Sequence, residues 1–513
     1  MSDRTEVVWR PISKTSQELG MSCTCDSILL TGTRGGGKSN IQLMRFRKRV
    51  GLGYGRFWRG IIFDVEYKDM DDLIAQSKRL FLAFEDGAKF LQASNQYKWV
   101  WPTGEELLFR TGSEEKDYWA YHGQEFPWIG VNELTKQPSP VFIDMMMSCN
   151  RSSFQSDLHA PVDMHTGERQ SIPPIPLELV CTTNPYGIGR NWVKKRYIDP
   201  AKYGSIVRTK IEIISPKTKQ PEVVEKSQVT LFSSWVENIY LPNVYIATLS
   251  QELDPNKKKA WLGGRWDISA GGAFDDLWDE KVHILERFPI PKEWQVDRVF
   301  DWGSTHPFSV TWWAEANGEE VKLANGKPFL HRGKPFAPPS GTLIMIAEWY
   351  GSEEKDWGSN KGIKMSSVDI AEGIKAAEEA MKTSKMILSK VLPGPADNQI
   401  RNVIDSASET IEKKMMDKGV EWESSDKSSG SRINGYQLFR ERLEASKRQE
   451  GPGIYVMRNC RAAIQLLPTL PPHPTIPDDT HPKAEDHIWD GTRYRVLKSS
   501  YRIATNVAVR TAS

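Results

Sequence analysis

The sequence has 513 residues, 39 % of them hydrophobic, 26 % charged and 10 % aromatic, a mix that excludes a mainly disordered chain and supplies more than one buried core. Lys plus Arg number 68 and Asp plus Glu 66, a formal net charge of +2, so any nucleic-acid surface must be local rather than global. Five cysteines make no disulfide framework, the polar start Met1–Glu6 is unlike a signal peptide, and no uninterrupted apolar run reaches about 18 residues. A cytoplasmic protein with no membrane contact is expected, and at roughly 100–200 residues per domain it holds two to four domains.

In chain order, Ser27–Thr31 reads as a short buried strand, followed by a glycine-rich loop and an amphipathic helix over 39–50. Further apolar runs at Gly60–Asp64, Phe126–Val131 and Leu177–Cys181 read as strands, and their interleaving with helical segments predicts an α/β sheet of mainly parallel strands. Residues 250–290 carry Asp254-Pro255, a lysine run, two Gly-Gly pairs and an acidic cluster, as a junction would. The pattern then restarts. Strands are predicted at 298–302, 308–314 and 342–349, turn signals stand at Asn317-Gly318 and Asn325-Gly326, a helix at 366–383, and a proline-rich loop at 468–482. The second domain therefore begins as a β-meander. The expected division is 1–245, a linker at 246–290, and 291–513.

Gly32-Thr33-Arg34-Gly35-Gly36-Gly37-Lys38-Ser39 fits the phosphate-loop pattern G-x-x-x-x-G-K-[ST] in full. Glycines let backbone N–H groups curl round a phosphate chain, and the helix N-terminus behind them favours the anion. Lys38 is expected on the β- and γ-phosphates and Ser39 on Mg²⁺. A nucleotide hydrolase also needs acids at the end of an apolar strand. Trp128–Glu133 offers Glu133 as general base, with Asn132 where an Asp is usual; its amide oxygen can accept from a metal-bound water but brings no charge. Cys181-Thr182-Thr183-Asn184-Pro185 closes another strand, and Thr183 or Asn184 is placed to sense the γ-phosphate. Arg34 is a candidate arginine in cis.

Three acids stand out in the second half. Asp301 ends the first new strand, Asp397 follows Pro393-Gly394-Pro395-Ala396, and Asp486 with Asp490 lies four residues apart on one helical face. Converging carboxylates are what two-metal phosphodiester hydrolysis needs, although spacing alone does not single these out among 66. Asp405 is the alternative middle acid. Two stretches are locally basic: residues 1–60, with 11 basic and 4 acidic groups and the run Arg45, Arg47, Lys48, Arg49, and residues 190–210, with seven basic groups against Asp199. Such stripes suit phosphate backbones. Most of the 19 tryptophans read as core.

This ordered set resembles the large terminase subunit of tailed bacteriophages, from about Gln17 to Tyr494. Gln17 resembles the glutamine that contacts adenine, and Tyr67–Leu73 and Tyr121–Glu125 are also similar to family segments. Ile129–Leu134 resembles the strand ending in Asp-Glu, with Asn132 the departure, and Thr183–Pro185 followed by Trp192–Lys194 resembles the coupling motif. Asp301-Trp302-Gly303, Gly394–Asp397 and Glu485–His487 with Asp490 and Arg493-Tyr494 resemble the three acidic motifs of an RNase H-like nuclease. The resemblance implies a P-loop NTPase motor using ATP with Mg²⁺, joined to an RNase H-like endonuclease that holds two Mg²⁺ or Mn²⁺ ions on Asp301, Asp397, Asp486 and Asp490. It implies packaging of double-stranded DNA into a procapsid from the host cytoplasm, with a portal protein, a small terminase subunit and sibling copies in a ring as partners. Two other readings fit the motifs: a helicase or translocase whose second domain only binds DNA, and a docking protein with a vestigial ATP site.

Overall fold

The computed structural model describes residues 7–510 apart from 93–96, 254, 267–271, 403–408, 474 and 477, with side chains over the same residues except 255, 256, 355 and 499–510. The chain divides into two units, Met1–Ala270 and Gly271–Ser513. Asp405, the alternative middle acid, lies outside the described residues.

The first unit is built on one nine-stranded sheet. Its strands are β1 (Ser27–Gly32), β2 (Arg59–Asp64), β3 (Lys89–Leu91), β4 (Lys98–Val100), β5 (Glu106–Thr111), β6 (Trp128–Val131), β7 (Glu178–Thr182), β8 (Ile206–Ile214) and β9 (Pro221–Ser233), in the order β3-β4-β5-β2-β6-β7-β1-β9-β8. The six strands from β5 to β9 through β1 are mutually parallel, and β3–β4 and β8 add antiparallel edges. Parallel strands need cover on both faces, and the strands alternate accordingly. Ile28, Leu30, Ile62 and Val180 join one buried cluster, and Leu29, Ile61, Phe63, Leu179 and Cys181 the other. Helices α1 (Ser16–Ser22), α2 (Lys38–Arg47) and α3 (Tyr67–Leu82) belong to this unit.

The expected strands are present with small shifts, since Phe126 and Pro127 precede β6 and their carbonyls accept from the Asn150 amide, both at 3.0 Å. The long β8–β9 hairpin falls outside the expected elements. It covers part of the 190–210 stretch, and most of β8 is exposed.

In the second unit, β10 (Ile284–Leu285), β11 (Gln295–Asp301), β12 (Ser309–Glu315), β13 (Leu343–Tyr350), β14 (Val391–Leu392), β15 (Pro395–Ala396), β16 (Glu423–Ser424) and β17 (Ile454–Met457) form one sheet. Its order is β10-β17-β13-β12-β11-β15-β16, with β14 also on β11. Strands β11, β12 and β13 pair antiparallel, the expected meander; the chain turns at both Asn317-Gly318 and Asn325-Gly326, and 316–342 also carries a small extra hairpin. Helices α4 (Ser367–Thr383), α5 (Ser431–Arg448) and α6 (His487–Arg510) belong to this unit. Trp294, Trp312, Trp313 and Trp489 are fully buried in its core, as a core reading of the tryptophans expects. Residues 246–290 contribute to both units: Ala260 is buried in the first, and Ala273, Phe274 and Leu285 join the core of the second.

Candidate functional site

The first site forms where parallel strands end. Strand β1 stops at Gly32 (φ +129°), and the loop turns into α2 at Gly37 (φ +83°). Both backbone angles disfavour a side chain, and a Cβ on Gly32 would lie 2.3 Å from the Ser233 carbonyl oxygen. The end of β9 and the residues after it clamp the loop. Thr33 N–H donates to the Ser233 carbonyl at 3.0 Å, Ser233 Oγ to the Gly36 carbonyl at 2.8 Å, and Asn238 Nδ2 to the Gly35 carbonyl at 2.7 Å. Gln17, buried in α1, lies against Gly37, with its Oε1 accepting from Ile12 N–H at 3.2 Å. Ser39 is half-buried in the first turn of α2.

Lys38 Nζ donates to the Thr33 carbonyl at 2.7 Å and to Asn184 Oδ1 at 3.0 Å. The other end of that amide, Asn184 Nδ2, donates to Glu133 at 3.1 Å. Asn184 thus joins the loop lysine to the strand-end acid. Burial pulls the Lys38 ammonium down to about 8, with Glu133 opposing and Arg34 adding to the fall. Glu133 has φ +46°, a left-handed conformation that costs a non-glycine residue about 1–3 kcal/mol and is characteristic of functional sites. Its N–H is held by Thr182 Oγ1 at 3.3 Å and its carbonyl by Lys136 N–H at 2.8 Å. Thr183 faces elsewhere: its hydroxyl meets Thr135 Oγ1 at 2.8 Å. Arg34 is exposed, with its guanidinium 3.9 Å from the Trp261 ring centroid.

Asn132 is held from both sides. Its Nδ2 donates to Asp64 Oδ2 at 2.7 Å, and its Oδ1 accepts from Thr182 Oγ1 at 3.2 Å. Asp64 ends β2 and is wholly buried. Burial pushes its carboxyl up, against the Asn132 hydrogen bond and the Lys136 charge. Asp64, Thr135, Ser233 and Asn238 were not among the expected site residues. Only Asp64 carried a sign in the sequence, an acid closing an apolar run. The oxygens near this edge, from Ser39, Thr182, Asn132, Glu133 and Asp64, are hard donors of the kind Mg²⁺ takes.

The second site lies at the ends of adjacent strands of the second unit. Asp301 closes β11, β15 runs parallel beside it, and Asp397 N–H donates to the Phe300 carbonyl at 2.9 Å. Asp301 and Asp397 are nearly buried. Asp486 precedes α6 and Asp490 stands one turn along, its N–H donating to the Asp486 carbonyl at 2.7 Å. The four acids feel one another. Burial, then the neighbouring Asp490, pushes Asp486 up to about 7. Burial pushes Asp301 up to about 6, the His487 hydrogen bond opposing, with Asp490 and Asp397 adding to the rise.

Each acid also has a cationic neighbour. His487 Nδ1 lies 3.1 Å from Asp301, Lys427 Nζ 2.5 Å from Asp397, Arg493 Nη2 2.9 Å from Asp490, and Arg432 3.8 Å from Asp486 and 3.9 Å from Asp490. Burial opposes charge on His487, but Asp301, Asp486 and Glu485 outweigh it and raise its pKa to about 9. Tyr494 donates to Asp301 at 3.4 Å. Among the described residues no three acids, histidines or cysteines are placed to hold a metal ion between them. The donor chemistry, carboxylate oxygens with mutual repulsion, fits hard divalent cations.

Within the basic stripe of residues 1–60, Arg45, Lys48 and Arg49 are tied into the fold, whereas Arg10, Lys14, Arg34 and Arg56 are exposed. Arg45 is fully buried and donates to Glu178 at 2.9 and 3.0 Å and to the Gly20 and Cys23 carbonyls at 2.6 and 2.7 Å. Arg49 reaches the same Glu178 at 2.7 Å, and Lys48 the Met21 carbonyl at 2.6 Å. In the second stripe, Lys194 pairs with Asp199 at 2.6 Å and Arg196 with Asp144 at 2.8 Å.

No described helix is long and apolar enough to cross a membrane. No protein-family model and no curated protein sequence matches the chain. Among solved structures it is similar to the large terminase of the thermophilic bacteriophage D6E in complex with ADP, at 14 % identity and a TM-score of 0.36, over 94 % of this chain and 98 % of that one. It is also similar to the HK97 bacteriophage large terminase, at 9 % identity and a TM-score of 0.38 over 87 % and 85 %, and to the P22 large terminase nuclease domain, at 14 % and 0.29 over 44 % and 90 %.

Proposed function

We propose that the chain is the ATP-hydrolysing subunit of a viral DNA-packaging motor and carries a metal-dependent endonuclease. The observation that carries the motor reading is the Lys38–Asn184–Glu133 chain of hydrogen bonds behind a complete phosphate loop. The loop N–H groups and Lys38 would hold the phosphates of ATP, Ser39 and Asn132 would hold the accompanying Mg²⁺, and Gln17 would meet the base. Glu133 takes a proton from the attacking water. Loss of the γ-phosphate changes what Lys38 must neutralise, and Asn184, bonded to both Lys38 and Glu133, passes that change to β7. Arg34 leaves Trp261 to meet charge on the transferring phosphoryl group.

In the second unit, Asp301, Asp397, Asp486 and Asp490 are the residues to hold two Mg²⁺ or Mn²⁺ ions, which activate water and stabilise the leaving oxygen of a phosphodiester. Lys427, Arg432 and Arg493, which now neutralise these acids, would be the counter-charges such ions replace. The boundaries 1–245, 246–290 and 291–513 for motor, linker and nuclease belong to the same reading, as do duplex DNA, a portal ring, a small terminase subunit and sibling copies as partners in the host cytoplasm.

Packaging is tested by incubating the protein with portal-bearing procapsids, DNA and ATP, then measuring nuclease-protected DNA. Wild type is expected to protect DNA, and Lys38→Ala to protect none. ATP turnover without any protected DNA would remove the packaging reading. Asn132 favours one competitor, a docking protein with a vestigial site. Absence of ATP turnover in wild type, with DNA and portal present, would select it.

A further inference from the structure

Asp64 is a wholly buried acid for which the proposed hydrolysis has no use. It stands at the end of β2, next to β6 in the sheet, and β1, β7, β6 and β2 all run parallel and end at one edge. Its contacts lead toward Glu133. Asp64 Oδ2 accepts from Asn132 Nδ2 at 2.7 Å, and the oxygen of the same amide accepts from Thr182 Oγ1 at 3.2 Å. Thr182 Oγ1 in turn accepts from the Glu133 N–H at 3.3 Å. An isolated buried carboxylate is costly unless a cation compensates it. Asp64 Oδ1 accepts from the Val65 N–H at 2.7 Å, but the cation beside it is Lys136, at 3.4 Å, part exposed and nearer to Asp69 at 3.1 Å. The negative charge on Asp64 is thus incompletely compensated, while the position next to Glu133 holds a neutral amide.

We propose that Asp64 supplies, from the neighbouring strand, the negative charge for the nucleotide's divalent cation that residue 132 lacks, with Asn132 as the amide that holds Asp64 in place. The inference rests on the nucleotide-binding reading of this site. Asp64 acts by its charge from the neighbouring strand, and Asn132 is the positioning residue that fixes where that charge lies. Asp64 tunes how tightly Mg²⁺ joins the bound nucleotide, not how the phosphates themselves are held. A hydrogen-bond acceptor alone would not do this: an Asn at 64 keeps an acceptor for Asn132 Nδ2 but carries no charge.

The test is Mg²⁺ titration of a fluorescent ATP analogue bound to the full-length protein, with affinity also measured in EDTA. Asp64→Asn is expected to raise the Mg²⁺ concentration at half-saturation about tenfold and to leave the EDTA affinity within about twofold, a free-energy difference of about 1.4 kcal/mol. Moving the carboxylate back across the hydrogen bond, in Asp64→Asn combined with Asn132→Asp, is expected to restore half-saturation to within about threefold of wild type. An unchanged half-saturation in Asp64→Asn, an equal loss of affinity in EDTA, or no recovery in the double variant would each overturn the proposal. If Asp64→Asn does not fold, Asp64→Ser, which also removes the charge and keeps an oxygen for Asn132 Nδ2, gives the same reading: a raised half-saturation supports the proposal and an unchanged one overturns it. A wild type that binds no nucleotide at all overturns both this inference and the reading beneath it, whereas normal wild-type binding with an indifferent Asp64 overturns the inference alone.

Discussion

The two sites have opposite electrostatic deficits. At the phosphate loop a buried lysine is short of negative charge: burial pulls Lys38 down to about 8 although Glu133 is near. At the strand ends of the second unit carboxylates are short of positive charge: Asp486 is pushed up to about 7 and Asp301 to about 6 although every acid has a basic neighbour. Under the proposed function, one site would gain from an arriving polyphosphate and the other from arriving cations. The Arg45–Glu178 cluster is the contrast to both, since Arg45 spends its guanidinium donors on Glu178 and on the Gly20 and Cys23 carbonyls within the fold.

That contrast can be broken by substitution, and the largest effect belongs to the satisfied cluster. Arg45→Ala leaves Glu178 buried with Arg49 as its remaining partner and is expected to cost about 3–5 kcal/mol of stability, read by denaturant unfolding. A loss of DNA binding at unchanged stability would return Arg45 to the DNA face. Next is metal binding: Mn²⁺ at 100 times its dissociation constant is expected to stabilise the second unit by about 2.7 kcal/mol, read as a thermal shift. Asp301→Asn should lose that shift.

Two smaller effects have opposite pH signs. The folded-state pKa of Lys38 is lowered, so its charge penalises folding fully below about pH 8, and the penalty fades as pH rises toward the unfolded value. It amounts to roughly 3 kcal/mol. Lys38→Met removes it but orphans two oxygen acceptors, at about 1–3 kcal/mol each. The variant's stability relative to wild type is therefore expected to be highest below about pH 8 and to fall by roughly 3 kcal/mol as pH rises through the unfolded value. The folded-state pKa of Asp486 is raised, so its ionised form penalises folding fully above about pH 7, and the penalty is relieved as pH falls toward the unfolded value. Asp486→Asn should therefore gain on the order of 1 kcal/mol above pH 7 and lose that gain on acidification. Equal pH slopes in the two variants would refute the opposite deficits.

Much of this was legible in the sequence because strand ends announce themselves. An apolar run closing on a polar residue marked Glu133, Asn184 and Asp301, and the glycine spacing marked the loop. Asp64 closes Gly60–Phe63 with the same sign, yet it has no motif around it, and its role depends on pairing β2 with β6, which sequence order does not give. The Arg45–Arg49 run misled because charge density says nothing about burial; only the packing of α2 over Glu178 shows where those guanidinium groups go. The β8 strand was hidden similarly, its alternating Arg208 and Lys210 counted as charge rather than as one face of a hairpin.

The claim that one chain carries two chemically separate sites is tested most directly by assaying wild type, Glu133→Gln and Asp301→Ala side by side for ATP turnover and for Mn²⁺-dependent cutting of plasmid DNA. Glu133→Gln is predicted to lower turnover by about 10²–10⁴-fold and to cut as wild type does, and Asp301→Ala to turn over ATP normally and not to cut. Wild-type levels of both activities in both variants would contradict the account.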